Sequence, residues 1–547
     1  MATFVSGPGS RYRALCSVVV ALLLGFPLAV ALSPMPSTQE GAVRTPVSDT
    51  SNDLYAQAVA PPGYSDGNLA YQEGLVALGN PSPQLPASCL IRLMTLQSFT
   101  PSTNFGNPKL LVTLNATAVC GLAPFSVTWV FGDGNRTSQS QANASWSGPS
   151  GSWYESFIYS HTYGYVGSFI AKCWITDSAG TNVSGSASVF VSFSPSLFYS
   201  FYNESGLLQK GDNGSGHTIG LVEECNSAIP NENAVYQSDL NTFDSEFSIP
   251  ATTLSFFISG GTTCSSPGIG WSTQETSLDI EWAHVAAPGA KIQVCLDTLG
   301  DVAGWEGCDS YFEANGVSIV SNSWGFCGAS DPQYLVRPTC TNATDPYGKT
   351  WQQAEQGGSN FFASSGDHVQ SICDTANYPA SNPYAVAVGA TTVESVGRTG
   401  GYGSERIWSS STSTEQCSYK RGNNWIGVSS DLGETFGTNP YYSAPSWQSA
   451  VLENTYRYFP DVSMVGDPAT GVPIVSQGVW YIVGGTSVGS PIWSGILAVL
   501  LQSHAPGLSG FSAPFLYSNP GCFHMVTNSA GGQDGMGTPN IGCLAAA

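Results

Sequence analysis

A parallel α/β domain preceded by a small antiparallel β-sandwich is the architecture this sequence predicts. Two textures in the chain predict it. From about residue 216 to residue 547, apolar strand-like runs such as 218–222 and 317–321 alternate with helical stretches, as parallel strands covered by helices do. From about residue 87 to residue 194, shorter runs alternate in polarity, as in 109–114 and 126–131, between clusters of Gly, Asn and Ser. That is how a small two-sheet sandwich reads. A length of 547 residues leaves room for both, at roughly 100–200 residues per domain.

The N-terminal segment comes first in the chain. Arg11 and Arg13 precede an apolar run from residue 14 to 31 that ends in Ala29-Val30-Ala31. A charged start, an apolar stretch and a small-residue cleavage site read as a secretory signal over 1–31. The run is just long enough to serve instead as an uncleaved anchor. Residues 32–86 are rich in Pro, Ser, Gly and Ala and read as a linker. Fourteen cysteines occur, Cys16 inside the signal. With export, the remainder read as disulfides, and their odd number leaves at least one unpaired or paired between chains. Asn115, Asn135, Asn143, Asn182, Asn203, Asn213 and Asn342 each open an N-x-[ST] triplet, consistent with an extracellular glycoprotein.

Only 10% of residues are charged, with a formal net charge of -22. Phosphate binding needs a basic surface, so a nucleic-acid partner is excluded. An acidic, charge-poor surface suits work at low pH, where carboxylates protonate and self-repulsion shrinks.

Within the sandwich, Trp129-Val130-Phe131-Gly132-Asp133-Gly134 and His161-Thr162-Tyr163 resemble the marks of a PKD-type domain, an immunoglobulin-like sandwich. The resemblance covers about 100 residues, assigned as 87–194. It implies a spacer, or a module that binds a surface or the substrate. His161 reads as structural. The order Cys120, Trp129, Cys173 suggests a bridge between the sheets packed on the tryptophan, and 137–154 reads as an insertion in a hairpin.

The chemistry lies in the α/β part, assigned as 216–547. Gly484-Gly485-Thr486-Ser487-Val488-Gly489-Ser490-Pro491 opens an apolar helical run. Glycines permit a sharp turn, and a serine there sits at a helix N-terminus, where the dipole favours developing negative charge. A serine nucleophile needs a base. None of the six histidines has the surroundings expected of a subtilisin triad. Glu275 and Asp279 stand at i and i+4, on one helix face one turn apart. Two carboxylates so close repel, and one keeps a proton. Such a base still works in acid, where an imidazole is already charged. Read alone, the pair is equally a solvated acidic face.

The strings together resemble the sedolisin family of serine-carboxyl peptidases. Glu275-Thr276-Ser277-Leu278-Asp279-Ile280-Glu281 matches its E-x-x-L-D-x-E pattern, and Ala287-Pro288-Gly289-Ala290 its A-P-G-A. Ser365-Gly366-Asp367 matches its S-G-D, and Gly485-Thr486-Ser487 its G-T-S. The likeness runs in order over about 330 residues. It implies a subtilisin-like parallel sheet covered by helices, and a secreted peptidase acting on protein or peptide substrates at acidic pH. It also implies a triad of Ser487, Glu275 and Asp279, with Asp367 at the oxyanion hole. Such an Asp donates only while protonated. The same likeness leaves an endopeptidase and a tripeptidyl-peptidase-like enzyme both open. Glu223 sits where the family often has a Glu linked to the catalytic acids.

Two departures stand out. The family's folded pro-segment is replaced by the sandwich. The family's calcium loop begins with an Asp where Met525 stands here, leaving Gly532 and Asp534 as matches, so a degenerate calcium site or none is expected. A Cys522–Cys543 bridge would take over its clamping role. Two other functions are weighed: an adhesion or scaffold protein on a dead peptidase fold, and a histidine-dependent subtilisin. The complete set of Ser487, Glu275, Asp279 and Asp367 favours the carboxyl-based enzyme.

Overall fold

The structure is a computed structural model that describes residues 57–59, 94–102, 105–106, 110–141, 154–164, 167–259, 261, 264, 272–298, 302–325, 346–367, 378–397, 399–421, 424–527 and 534–547. The signal segment and most of the 32–86 linker lie outside them. Within the linker, Gln57–Val59 forms a strand antiparallel to Val479–Val483. Among the described residues no helix is long and apolar enough to cross a membrane.

The first body has two antiparallel sheets. One joins Thr95–Pro101, Leu110–Val119 and Tyr154–Tyr163. The other is built on Asn182–Val191, Gly167–Thr176, Phe125–Val130 and Arg136–Gln141. Alternation along each strand sends Val112, Leu114, Ala116, Phe125, Val127 and Trp129 into one shared core. His161 is structural: its Nε2 lies 2.7 Å from Asp133 Oδ2, and its ring stacks on Phe131 at 3.9 Å. The expected bridge between Cys120 and Cys173 does not form. Cys173 is a free, buried thiol that faces Trp129 from the neighbouring strand of the same sheet. Cys120, which follows Leu110–Val119 of the other sheet, is bonded to another cysteine, which leaves Cys173 without it.

Between the bodies, Ser194 caps helix α1 (Pro195–Phe201). The second body is an eight-stranded, mostly parallel sheet. In chain order its elements are β1 (Thr218–Glu224), α2 (Glu232–Phe247), β2 (Ser255–Ser259), α3 (Ser272–Ala286), β3 (Lys291–Asp297), α4 (Val302–Ala314), β4 (Ile319–Asn322), α5 (Pro346–Gln356), β5 (Asn360–Ser364), β6 (Ala385–Val396), β7 (Tyr402–Ile407) and β8 (Val462–Val465). After these come a hairpin of β9 (Val472–Ser476) and β10 (Val479–Val483), then helix α6 (Gly489–Gln502). The sheet order is β2-β3-β1-β4-β5-β6-β7, with β8 paired to β6, and only β7 runs antiparallel.

Successive strand residues point to opposite faces, and the core divides accordingly. Ile219, Leu221, Ile319 and Val388 join α3 and α6 on one side. Val222, Val320 and Ala387 join α4 and α5 on the other. The first core also takes in Phe193, Leu197, Phe198, Phe201 and Tyr202. The α/β body therefore begins near residue 193, earlier than the 216 read from the sequence. Tyr202 ties this segment in further, donating to Glu405 Oε1 at 2.7 Å and accepting from Val465 N–H at 3.0 Å.

Candidate active site

The carboxyl ends of parallel strands are where open α/β sheets bind ligands, and the candidate residues gather there. Glu223 is the next-to-last residue of β1, Asn322 ends β4 and Ser323 follows it, and Asp367 follows β5 by three residues. Helix α3 crosses behind them. All of its residues but Gln274 are buried, so the acidic pair is no solvated face: Glu275 is 5% exposed and Asp279 0%. Ser487 lies in the short 3-10 turn Thr486–Val488 that leads into α6. Gly485 makes that turn at φ 118°, a conformation that side chains with a Cβ rarely adopt.

Helices α3 and α6 touch through Gly495. A Cβ there would stand 2.5 Å from Ala286 Cβ and 3.0 Å from Ala283 O. The missing side chain lets the serine helix approach the acid helix, although glycine in a helix interior costs about 1 kcal/mol relative to Ala.

The carboxyls form a row. Burial pushes Glu275 well above the usual carboxyl range, the Asp279 charge adds to this, the Ser487 hydroxyl opposes it, and Asp367 adds more. Burial pushes Asp279 up to about 7, opposed by the nearby Ser323 and Glu223 side chains, although neither Asp279 oxygen makes a hydrogen bond of good geometry. Burial, then the Asp279 and Glu275 charges, raise Glu223 well above its ordinary value. Thr276 Oγ1 donates to Glu223 Oε2 at 3.1 Å. Three carboxyls in one buried row cannot all ionise, so the row holds protons. Ser487 Oγ and both Glu275 oxygens make no hydrogen bond of good geometry, as is common for catalytic pairs without substrate.

Asp367 is fixed from several sides. Its Oδ1 accepts from Thr486 N–H at 2.8 Å and from Thr486 Oγ1 at 2.8 Å. Thr486 Oγ1 accepts from Gly366 N–H at 3.0 Å. Gly433 N–H bonds Asp367 O at 3.0 Å, and Thr435 N–H bonds Gly366 O at 2.7 Å. The structure thus brings Ser487, Glu275, Asp279, Asp367 and Glu223 together, in one network of contacts and charges. It adds Thr486, Thr276 and Ser323, which the sequence reading did not single out. Thr486 was legible only as the middle letter of G-T-S.

The five described histidines are engaged elsewhere. Besides His161, the His284 ring lies 2.9 Å from Pro250 O, and His524 stacks on Tyr402. The lowered affinity of His217 for a proton comes from burial and then His504. His368 lies outside the described residues.

Calcium is a hard cation that takes six to eight oxygens, and of the calcium-loop residues that the resemblance names, Met525 and Asp534 are described. Met525 offers no carboxylate and is 68% exposed. Asp534 is fully buried, accepts from Ser463 Oγ and abuts Glu434. Gly532 lies outside the described residues. The Cys522–Cys543 bridge is present. Cys225, Glu232 and Cys264 cluster with metal-ligand spacing, but the two sulfurs are joined as a disulfide.

A parallel sheet flanked by helices, with a serine at a helix start facing buried carboxyls, defines a subtilisin-like fold. Residues 270–513 match the family described as the Subtilase family. The chain is 28% identical over 284 residues to sedolisin of Pseudomonas sp. (strain 101), covering 48% of this chain and 44% of that protein. It is 27% identical over 270 residues to kumamolisin of Bacillus sp. (strain MN-32), covering 46% and 44%. It spans less than half the length of these relatives. A solved structure of Pseudomonas sedolisin, a serine-carboxyl proteinase complexed with two molecules of pseudo-iodotyrostatin, shares the fold. It aligns with TM-score 0.54 at 22% identity, covering 65% of this chain and 97% of that one. The α/β body is thus related to serine-type peptidases of the sedolisin family.

Proposed function

We propose that this chain is a secreted serine-carboxyl peptidase that hydrolyses peptide bonds in acid. The observation that carries the reading is the placement of Ser487 against a buried row of Glu275, Asp279 and Glu223. In this mechanism Ser487 Oγ attacks the peptide carbonyl while Glu275 takes its proton. A proton held on Asp279 removes the neighbouring charge that raises Glu275, which leaves Glu275 freer to ionise and accept the serine proton. Asp367, protonated and oriented by Thr486, donates to the oxyanion. Glu275 then returns the proton to the leaving amine, and water releases the acyl group by the same route in reverse. The substrates are proteins or peptides, and the sandwich, a PKD-type domain in this reading, holds a surface or the substrate nearby.

The test is a pH–rate profile on a soluble peptide, with fragments of an unfolded protein read by mass spectrometry. An optimum in acid is expected. An optimum at pH 7 or above would refute the carboxyl mechanism. The fragment masses also separate internal cleavage from removal of terminal tripeptides.

A further inference from the structure

The β9–β10 hairpin delivers Ser487, since β10 runs through Gly484 and Gly485 into the serine turn. Its strands pair from Val472↔Val483 to Ser476↔Val479. Beyond that pairing, side chains of two helices grip it. Both carboxyl oxygens of Glu281 accept from Val475 N–H, at 3.3 and 3.0 Å. The Trp282 indole donates to Pro473 O at 2.9 Å. At the turn, Asp239 of α2 accepts from Gln477 N–H at 2.7 Å and Gly478 N–H at 2.9 Å. Glu281 and Asp239 are both buried.

Burying a carboxyl is costly, and strand pairing alone would hold a hairpin. The position of Glu281 supplies a reason. It lies on α3, two residues past Asp279 and six past Glu275. The helix that carries both acids therefore also holds the strand that carries the serine.

We propose that Glu281 is a positioning residue that sets the Ser487–Glu275 distance through the hairpin, with Asp239 fixing the turn of the same hairpin. The inference rests on Ser487 acting as the nucleophile. A misplacement of about 1 Å in a reacting pair can cost about 100-fold in rate, so the effect falls on kcat rather than KM.

The test uses the full chain and measures kcat and KM on a soluble peptide, with circular dichroism to confirm folding. Glu281→Ala should lose about 100-fold in kcat with KM within about twofold of the parent. Glu281→Gln keeps an acceptor for Val475 N–H and should stay within about threefold of the parent. Asp239→Asn keeps one acceptor of two, lies at the hairpin's far end, and should lose about tenfold in kcat. The proposal is overturned if folded Glu281→Ala keeps the parent kcat, or if Glu281→Gln is as impaired as Glu281→Ala. Should Glu281→Ala not fold, a parent-like Asp239→Asn overturns it instead. Ser487→Ala in the same assay reports on the peptidase reading separately. If that variant is as active as the parent, the reading itself fails, whatever the Glu281 variants do.

Discussion

Thr486 stands between the two residues on which the chemistry depends. Its backbone and its hydroxyl both hold Asp367, and Ser487 is the next residue. Thr486→Val removes one donor and leaves the other, so Asp367 should swing and kcat should fall by about 10–100-fold with the fold intact. Ser487→Ala should abolish turnover without changing the melting temperature, because the Oγ makes no well-formed hydrogen bond to lose. Turnover by that purified variant at more than a residual rate would remove Ser487 from the nucleophile role. Asp367→Asn keeps a donor at every pH. It should lose less of its own activity toward neutrality than the parent does, even with a lower maximum. The candidate reacting residues stood out because their types and spacings are rare. Those that orient them, Thr486, Thr276 and Ser323, are hydroxyls in a chain rich in hydroxyls, and only their contacts set them apart. The Cys120–Trp129–Cys173 order misled because order along a chain does not say which of several cysteines Cys120 pairs with.

Helix α3 shows what periodicity cannot reveal. A helix buried on nearly every side has no polar stripe, so its sequence could not separate a solvated acidic face from a buried acid row. The contact with α6 decides it, and that contact depends on Gly495. Gly495→Leu should destabilise the protein by about 1–3 kcal/mol through overpacking and separate Ser487 from Glu275. Urea unfolding and kcat, measured together, check both effects. The pH profile also belongs to this scale. With Asp279 pushed up to about 7, activity should fall as pH rises toward and through neutrality, when the row loses the proton it shares. Asp279→Asn cannot lose that proton, and the fall on the alkaline side should flatten. An unchanged profile would exclude Asp279 from the titration.

At the scale of the molecule, buried carboxyls decide how stability follows pH. Glu204, Glu223, Glu275 and Glu281 are all driven well above the usual range, chiefly by burial. Unfolded carboxyls titrate near pH 4. Between that value and the raised folded values, the folded chain binds more protons than the unfolded chain. The stability from these groups is therefore complete below about pH 4 and is lost as pH rises through the folded values. Thermal unfolding should show the midpoint declining from acid to neutral pH. A rising midpoint would contradict the burial of the row. The domain order was legible from texture alone, but the boundary at 216 was not. The aromatic residues 193–202 look like a linker until the sheet exists for them to cover. A chain begun at 216 loses Phe193, Leu197, Phe198, Phe201 and Tyr202 from the core. At about 1.5–3 kcal/mol for each large apolar side chain, that loss matches the whole stability of a domain, about 5–15 kcal/mol. A chain begun at 192 should fold, and one begun at 216 should not, as circular dichroism of the two products would show.

The strand that ends the sandwich stops at Val191, and Ser194 already caps a helix seated in the other core. Two residues reach at most about 7 Å, so the sandwich has no leash. If the sandwich holds a surface or the substrate, as proposed above, whatever it grips is offered to Ser487 within a narrow range, as a jig holds a workpiece before a blade. On a fibre or a cell wall, cuts should then fall at a fixed offset from each point of attachment. A flexible Gly-Ser insert after Ser192 should scatter those cuts while leaving the rate on a short free peptide unchanged.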